Sequence, residues 1–137
     1  MMLGVCGVII VDLGLLFISD FWLLVWVSKL MHSAFWIKAG ALHFTHPKLL
    51  QELAAFLPAT QAIVFISGVI EILLGVLFLV PSLCNLCSWC LILLLVAVYP
   101  ANINCAVNPA VQKATGWSRE RAIGRLPMQF LFAFWTL

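Results

Sequence analysis

A carboxylic acid in the middle of an apolar run is the residue here most able to do chemistry. Glu71 stands ten positions after Gln61 and nine before Val80, within QAIVFISGVIEILLGVLFLV. If that run crosses a bilayer, the carboxyl lies near the midplane. A charge there costs about 2.5–3.5 kcal/mol even on lenient insertion scales. Such a group must face the protein interior, pair with a cation or stay protonated. Gly68 and Gly75 flank Glu71 at i−3 and i+4, on the same side of a helix. Glycines on that face let a second helix approach closely. Two roles stay open: a proton, ion or cofactor site, or an interhelical hydrogen bond that only holds helices together.

Partners for the carboxyl can be placed by depth. Lys38 lies about 9 Å along a helix from Phe44. Glu71 lies about 15 Å from the same end of its own helix, a gap that a snorkelling lysine stem can bridge. Arg125 stands near the start of the last apolar run, with Gln129 one turn deeper at i+4. Taken alone, Lys38 reaches the interface and Arg125 meets a lipid phosphate. His43 and His46 close AGALHF-THP at a spacing of i, i+3. No H-E-x-x-H or comparable set completes a metal shell around them. His43 is expected to cap carbonyls at the helix end, with Pro47 stopping the helix.

Cysteine offers a second chemistry. Cys84 and Cys87 form a C-x-x-C, with Cys90 one turn on. A membrane thiol–disulfide oxidoreductase would use such a pair. Against this, nothing near the pair is basic enough to favour thiolate, and cysteine also serves as a small apolar helix residue.

The composition decides which elements must position these residues. The chain has 137 residues, 65% hydrophobic and 9% charged, with mean hydropathy +1.17. Soluble domains run near 45–50% and 25%. These figures exclude a soluble globular enzyme, a disordered chain and a nucleic-acid binder. Seven Lys and Arg against five Asp and Glu leave no basic stripe for a polyanion. The expected solvent is a lipid bilayer. About 20 apolar residues cross its hydrocarbon core.

On that length the predicted spans are residues 21–44, 61–80, 83–103 and 121–137, with a further apolar helix at 3–19. The front third also reads as one span over Leu3–Val27 followed by an interfacial helix. Pro100 is expected to kink the third span or sit in its last turn. From Ala122 the last helix has about 24 Å against a core of about 30 Å, and so falls short of the far interface. Trp22, Trp89, Trp117 and Trp135 fall near predicted span ends, as aromatic belts do.

The fold expected is all-α: an integral membrane four-helix bundle with an additional N-terminal helical segment, read as one domain. The loop 45–60, whose LLQELAAFL can form an amphipathic helix, and the loop 104–124 hold most loop Lys and Arg. Two spans separate them, so both face the cytosol by the positive-inside rule. The Pro81–Ser82 turn faces away.

Four segments stand in order with consistent spacing: AGALHFTHP (Ala39–Pro47), SGVIEILLG (Ser67–Gly75), YPANI (Tyr99–Ile103) and RLPMQ (Arg125–Gln129). Together they resemble the DoxX-like family of small integral membrane proteins, over about Trp36 to Phe134. The resemblance implies a four-helix membrane bundle. It implies motif positions at Gly40, His43, Phe44, Pro47, Gly68, Glu71, Gly75, Pro100, Asn102, Arg125, Pro127 and Gln129. Some members of that family are subunits or accessories of membrane redox complexes, including thiosulfate:quinone oxidoreductase. Leu3–Ser19 looks like an addition before the first family helix.

Resemblance and topology together predict one polar pocket on the cytosolic side. His43, Asn102 and Arg125 sit at cytosolic helix ends, Glu71 and Gln129 lie deeper, and Lys38 snorkels toward them. Gly40, Gly68 and Gly75 are the expected packing positions. The function expected is an accessory or subunit of a membrane redox complex, with a quinone as candidate ligand. Its partners would be the bilayer, redox-complex subunits and further copies of the chain, with no nucleic acid. The alternatives are thiol–disulfide exchange through Cys84 and Cys87, and a small proton-coupled transporter or channel built on Glu71.

Overall fold

The computed structural model describes residues 3–136, with side chains from residue 21 onward. Six helices follow one another: α1 (Leu3–Thr45), α2 (Pro47–Leu53), α3 (Thr60–Leu77), α4 (Cys84–Val107), α5 (Pro109–Thr115) and α6 (Arg119–Thr136). Among the described residues there is no strand. α3 and α4 are long and apolar enough to cross a membrane. That is the expected answer to this composition, because lipid offers backbone groups no partner and a helix satisfies them internally.

α1 runs for 43 residues without interruption. Neither Ser19–Phe21 nor Val27 marks a boundary, so the predicted helix at 3–19 and span at 21–44 fall within one continuous helix. Contacts divide the chain between Met31 and His32. In the first unit Phe21, Trp22, Leu23 and Leu24 are all exposed, which makes that stretch apolar all round. Lys29 lays its ammonium over the Trp26 ring, 5.6 Å from the centroid.

In the second unit, Trp36, Phe78, Cys87, Leu91 and Leu95 form one core cluster. Leu53, Cys105, Ala106, Val111 and Ala122 form another. Glycines set how closely α1 and α3 meet. A Cβ on Gly40 would stand 2.7 Å from the Gly68 carbonyl oxygen, and one on Gly68 would stand 2.5 Å from the His43 Cβ. A Cβ on Gly75 would press Ile37 at 3.1 Å and the Ser33 carbonyl at 3.2 Å. Ser33 Oγ donates to the Gly75 carbonyl at 2.6 Å, which fixes the register from the side.

The connections differ from expectation in instructive ways. α3 ends at Leu77, and the turn toward α4 occupies residues 78–83 rather than Pro81–Ser82 alone. α2 runs over Pro47–Leu53 and so takes in only residues 49–53 of the predicted amphipathic segment 49–57. α4 passes through Pro100 and continues to Val107. A ring at Pro100 removes one ladder hydrogen bond, which a helix packed among others tolerates. The segment expected to be a loop after residue 104 holds α5. Asn108 caps it by accepting from the Ala110 N–H at 3.0 Å, Pro109 takes the first helical position, and Gly116 closes it at φ 70°. Gln112 then donates from Nε2 to the carbonyls of Cys105 (2.9 Å) and Ala106 (3.0 Å), two of the open acceptors at the end of α4. α6 starts at Arg119, two residues before the predicted span. Ser118 Oγ accepts from the Arg121 N–H at 3.3 Å. Leu137, the last residue of that span, lies outside the described residues.

Candidate functional site around Glu71

The close approach of α1 and α3 brings His43 to Glu71. Gly68 sits on the α3 face that carries Glu71 and leaves room for the His43 side chain. The imidazole therefore crosses to α3 and does not cap its own helix. Nδ1 lies 2.7 Å from the Val64 carbonyl oxygen and 3.1 Å from Ser67 Oγ. Nε2 lies 3.5 Å from Glu71 Oε2. The His46 side chain is exposed and, among the described residues, hydrogen-bonds only Thr45 Oγ1, so the two histidines do not act together.

Hydrogen-bond accounting assigns the ring tautomer. A carbonyl oxygen only accepts, so Nδ1 carries a hydrogen. Ser67 donates its own hydroxyl to Val64 and accepts from Nδ1. In a neutral ring, Nε2 is then a lone pair, and it would face a lone pair on the carboxylate. A proton on either Nε2 or the carboxyl removes that clash, and at 3.5 Å the two groups are in ion-pair contact without a hydrogen bond between them. Holding one such proton, the pair is an imidazolium with a carboxylate or an imidazole with a carboxylic acid, and either form is neutral overall. Neutrality is what a low-dielectric interior demands of two buried ionisable groups.

Glu71 is 6% exposed, and its Oε2 has no hydrogen-bond partner among the described residues. It forms part of the wall of a cavity of about 410 Å³. α1 contributes Phe35, Trp36 and Lys38 to that wall, α4 contributes Leu95 and Asn102, and α6 contributes Arg125, Gln129 and Phe132. A second cavity, of about 330 Å³, shares Glu71, Asn102 and Arg125 with the first. It extends among Leu50, Leu53, Phe56, Leu57 and Ile63. The volumes lie in the range of small-molecule sites, and mostly apolar walls with a few converging polar groups are their usual make-up.

Five of the six predicted pocket residues line the first cavity, and His43 lines the second. At least one of His43, Lys38, Asn102, Arg125 and Gln129 is expected within reach of the carboxyl, and His43 is the one that pairs with it; Lys38 and Arg125 are exposed and make no ion pair with Glu71. Arg125 spreads over the Trp117 ring, 4.3 Å from its centroid, so Trp117 holds the arginine at the rim. Asn102 is buried, and Gln129 Oε1 is a second buried acceptor without a partner among the described residues. Sequence reasoning missed Ser67, although it stands four residues before Glu71 on the same face. It also missed the aromatic wall, where Phe35 and Phe132 stack at 4.2 Å.

The Cys84–Cys87 pair does not line the cleft. Cys84 and Cys87 are free thiols, and Cys87 is 2% exposed within the core cluster beside Trp36 and Phe78. Close by, His32 is buried and accepts from the Trp36 indole N–H at 2.9 Å.

A family profile matches residues 32–137. The chain belongs to the family described as Domain of unknown function (DUF8561). The match begins at His32, where the second compact unit also begins, and it takes in every residue of the cleft. No curated protein and no solved structure matches the chain.

Proposed function

We propose that this chain is a multi-pass membrane protein in which α1, α3, α4 and α6 cross the bilayer and enclose a binding cleft at Glu71. In this reading it serves as an accessory or subunit of a membrane redox complex, as the likeness to DoxX-like proteins suggests. The apolar character of α3 and α4 supports the membrane setting. So do the exposed Phe65, Leu73, Leu93, Val96, Phe130 and Phe134, which water would penalise.

One observation carries the binding role. A buried carboxyl, neutralised by His43, keeps an oxygen without a hydrogen bond on the wall of a mostly apolar cavity. A purely structural interhelical bond would use that oxygen up. The same observation favours a second reading, a proton-coupled transporter, because the pair stores one proton. The Cys84–Cys87 alternative has less support, since burial keeps Cys87 from thiol exchange.

The test is purification in a mild detergent, followed by mass spectrometry of co-purifying lipids and proteins for the unmodified chain and for Glu71→Leu. A bound small molecule lost in the variant supports the cleft. Identical species in both preparations would remove the binding role and leave Glu71 as a packing residue.

A further inference from the structure

The two orphaned atoms in the cleft say what kind of head group it takes. Glu71 Oε2 and Gln129 Oε1 are both acceptors, and both line the larger cavity. Whichever member of the His43–Glu71 pair holds the proton, Oε2 retains a lone pair. A ligand that completes this site must therefore bring hydrogen-bond donors.

Charge narrows the class further. An acid head would lie against the carboxyl of Glu71. An ammonium head would meet a pair that is already neutral, in a cleft whose rim carries Lys38 and Arg125. An uncharged head suffers neither conflict and loses least on leaving water. The adjoining cavity, with Leu50, Leu53, Phe56 and Ile63, suits an alkyl or isoprenoid tail. We infer that the cleft binds a neutral, hydroxyl-headed lipid, its O–H donated to Glu71 Oε2 and its tail lying among α2, α3 and α4. This inference rests on the binding role proposed above and adds the ligand's chemistry to it.

Three photoreactive probes of equal chain length test it on the purified full chain in zwitterionic detergent. All carry a diazirine in the tail. One ends in a primary alcohol, one in the methyl ether of that alcohol, and one in a carboxylic acid. Labelled residues are mapped by mass spectrometry. The alcohol should label the tail cavity, around Leu50, Phe56 and Ile63, about tenfold more than the ether. That ratio corresponds to one hydrogen bond to an ionisable group. Glu71→Leu should bring the ratio near one, and Gln129→Leu should lower it. The ratio in the unmodified chain stands without either variant. Equal labelling by alcohol and ether overturns the donor assignment and leaves the cleft intact. Stronger labelling by the acid overturns it in favour of an anion read by Arg125. No labelling of the cavity by any probe overturns the binding role itself.

Discussion

His43 Nε2 and Glu71 Oε2 stand 3.5 Å apart because Gly68, one turn before Glu71, leaves its place to the imidazole. A methyl at that glycine would come within 2.5 Å of the His43 Cβ. Backbone close approach and the ionisable pair are thus one feature. Whatever moves α1 from α3 also separates histidine from carboxyl.

Gly68→Ala tests that coupling. The new methyl meets the His43 Cβ and the Gly40 carbonyl, neither of which is the free end of a flexible chain. Overpacking of this kind costs about 1–3 kcal/mol. The variant should melt lower in detergent, and a carbodiimide should modify Glu71 faster once the histidine is displaced. An unchanged melting temperature would mean that the helices are not in contact at Gly68.

The pair itself calls for a double-mutant cycle with His43→Phe and Glu71→Leu, neither of which supplies a new donor. Each single change leaves one partner without its counterpart, so each should destabilise more than an additive account allows. Coupling should fall near 0.6–1.7 kcal/mol, the span measured for interhelical hydrogen bonds in a membrane protein. Coupling near zero, read from unfolding in mixed micelles, would reduce the contact to coincidence.

Gly116→Ala should act through the backbone alone. Gly116 closes α5 at φ 70°, and a Cβ there meets nothing within 4 Å. The left-handed conformation costs an L-residue roughly 1–2 kcal/mol. A loss of that size, with lipid binding unchanged, is expected in thermal unfolding; a larger loss would point to a packing role for the turn.

What the sequence disclosed follows from how strongly each feature is constrained. The apolar runs behind α3 and α4 are legible because lipid leaves a backbone few options. Gly68, Glu71 and Gly75 share a face by spacing alone, and they are buried on it. The cation was harder to read. Depth pointed to Lys38 and Arg125, but depth says nothing about rotation around α1 or about the Trp117 ring that holds Arg125. α5 was legible and overlooked: Asn108–Pro109 before it and Gly116 after it are a start and a stop signal. The aromatic wall left no trace, because Phe35 and Phe132 stand 97 residues apart and meet only through folding.

The membrane reading stands or falls on sidedness. Lys48 lies in α2, before α3, and Lys113 in α5 and Arg119 and Arg121 in α6 lie after α4. If α3 and α4 both cross, as proposed, these two regions would share a side, and their basic residues would assign it to the cytosol. The turn at residues 78–83 carries no charge and would then lie opposite. Replacing the five native cysteines and introducing one cysteine at a time at Lys48, Ser82 and Lys113 gives three reporters. A membrane-impermeant maleimide should label Ser82→Cys on intact cells, and Lys48→Cys and Lys113→Cys only after permeabilisation. Interchanged labelling would reverse the orientation but keep the spans. Lys48→Cys and Lys113→Cys on opposite sides would mean that α3 or α4 does not cross, and the four-span arrangement would then be wrong.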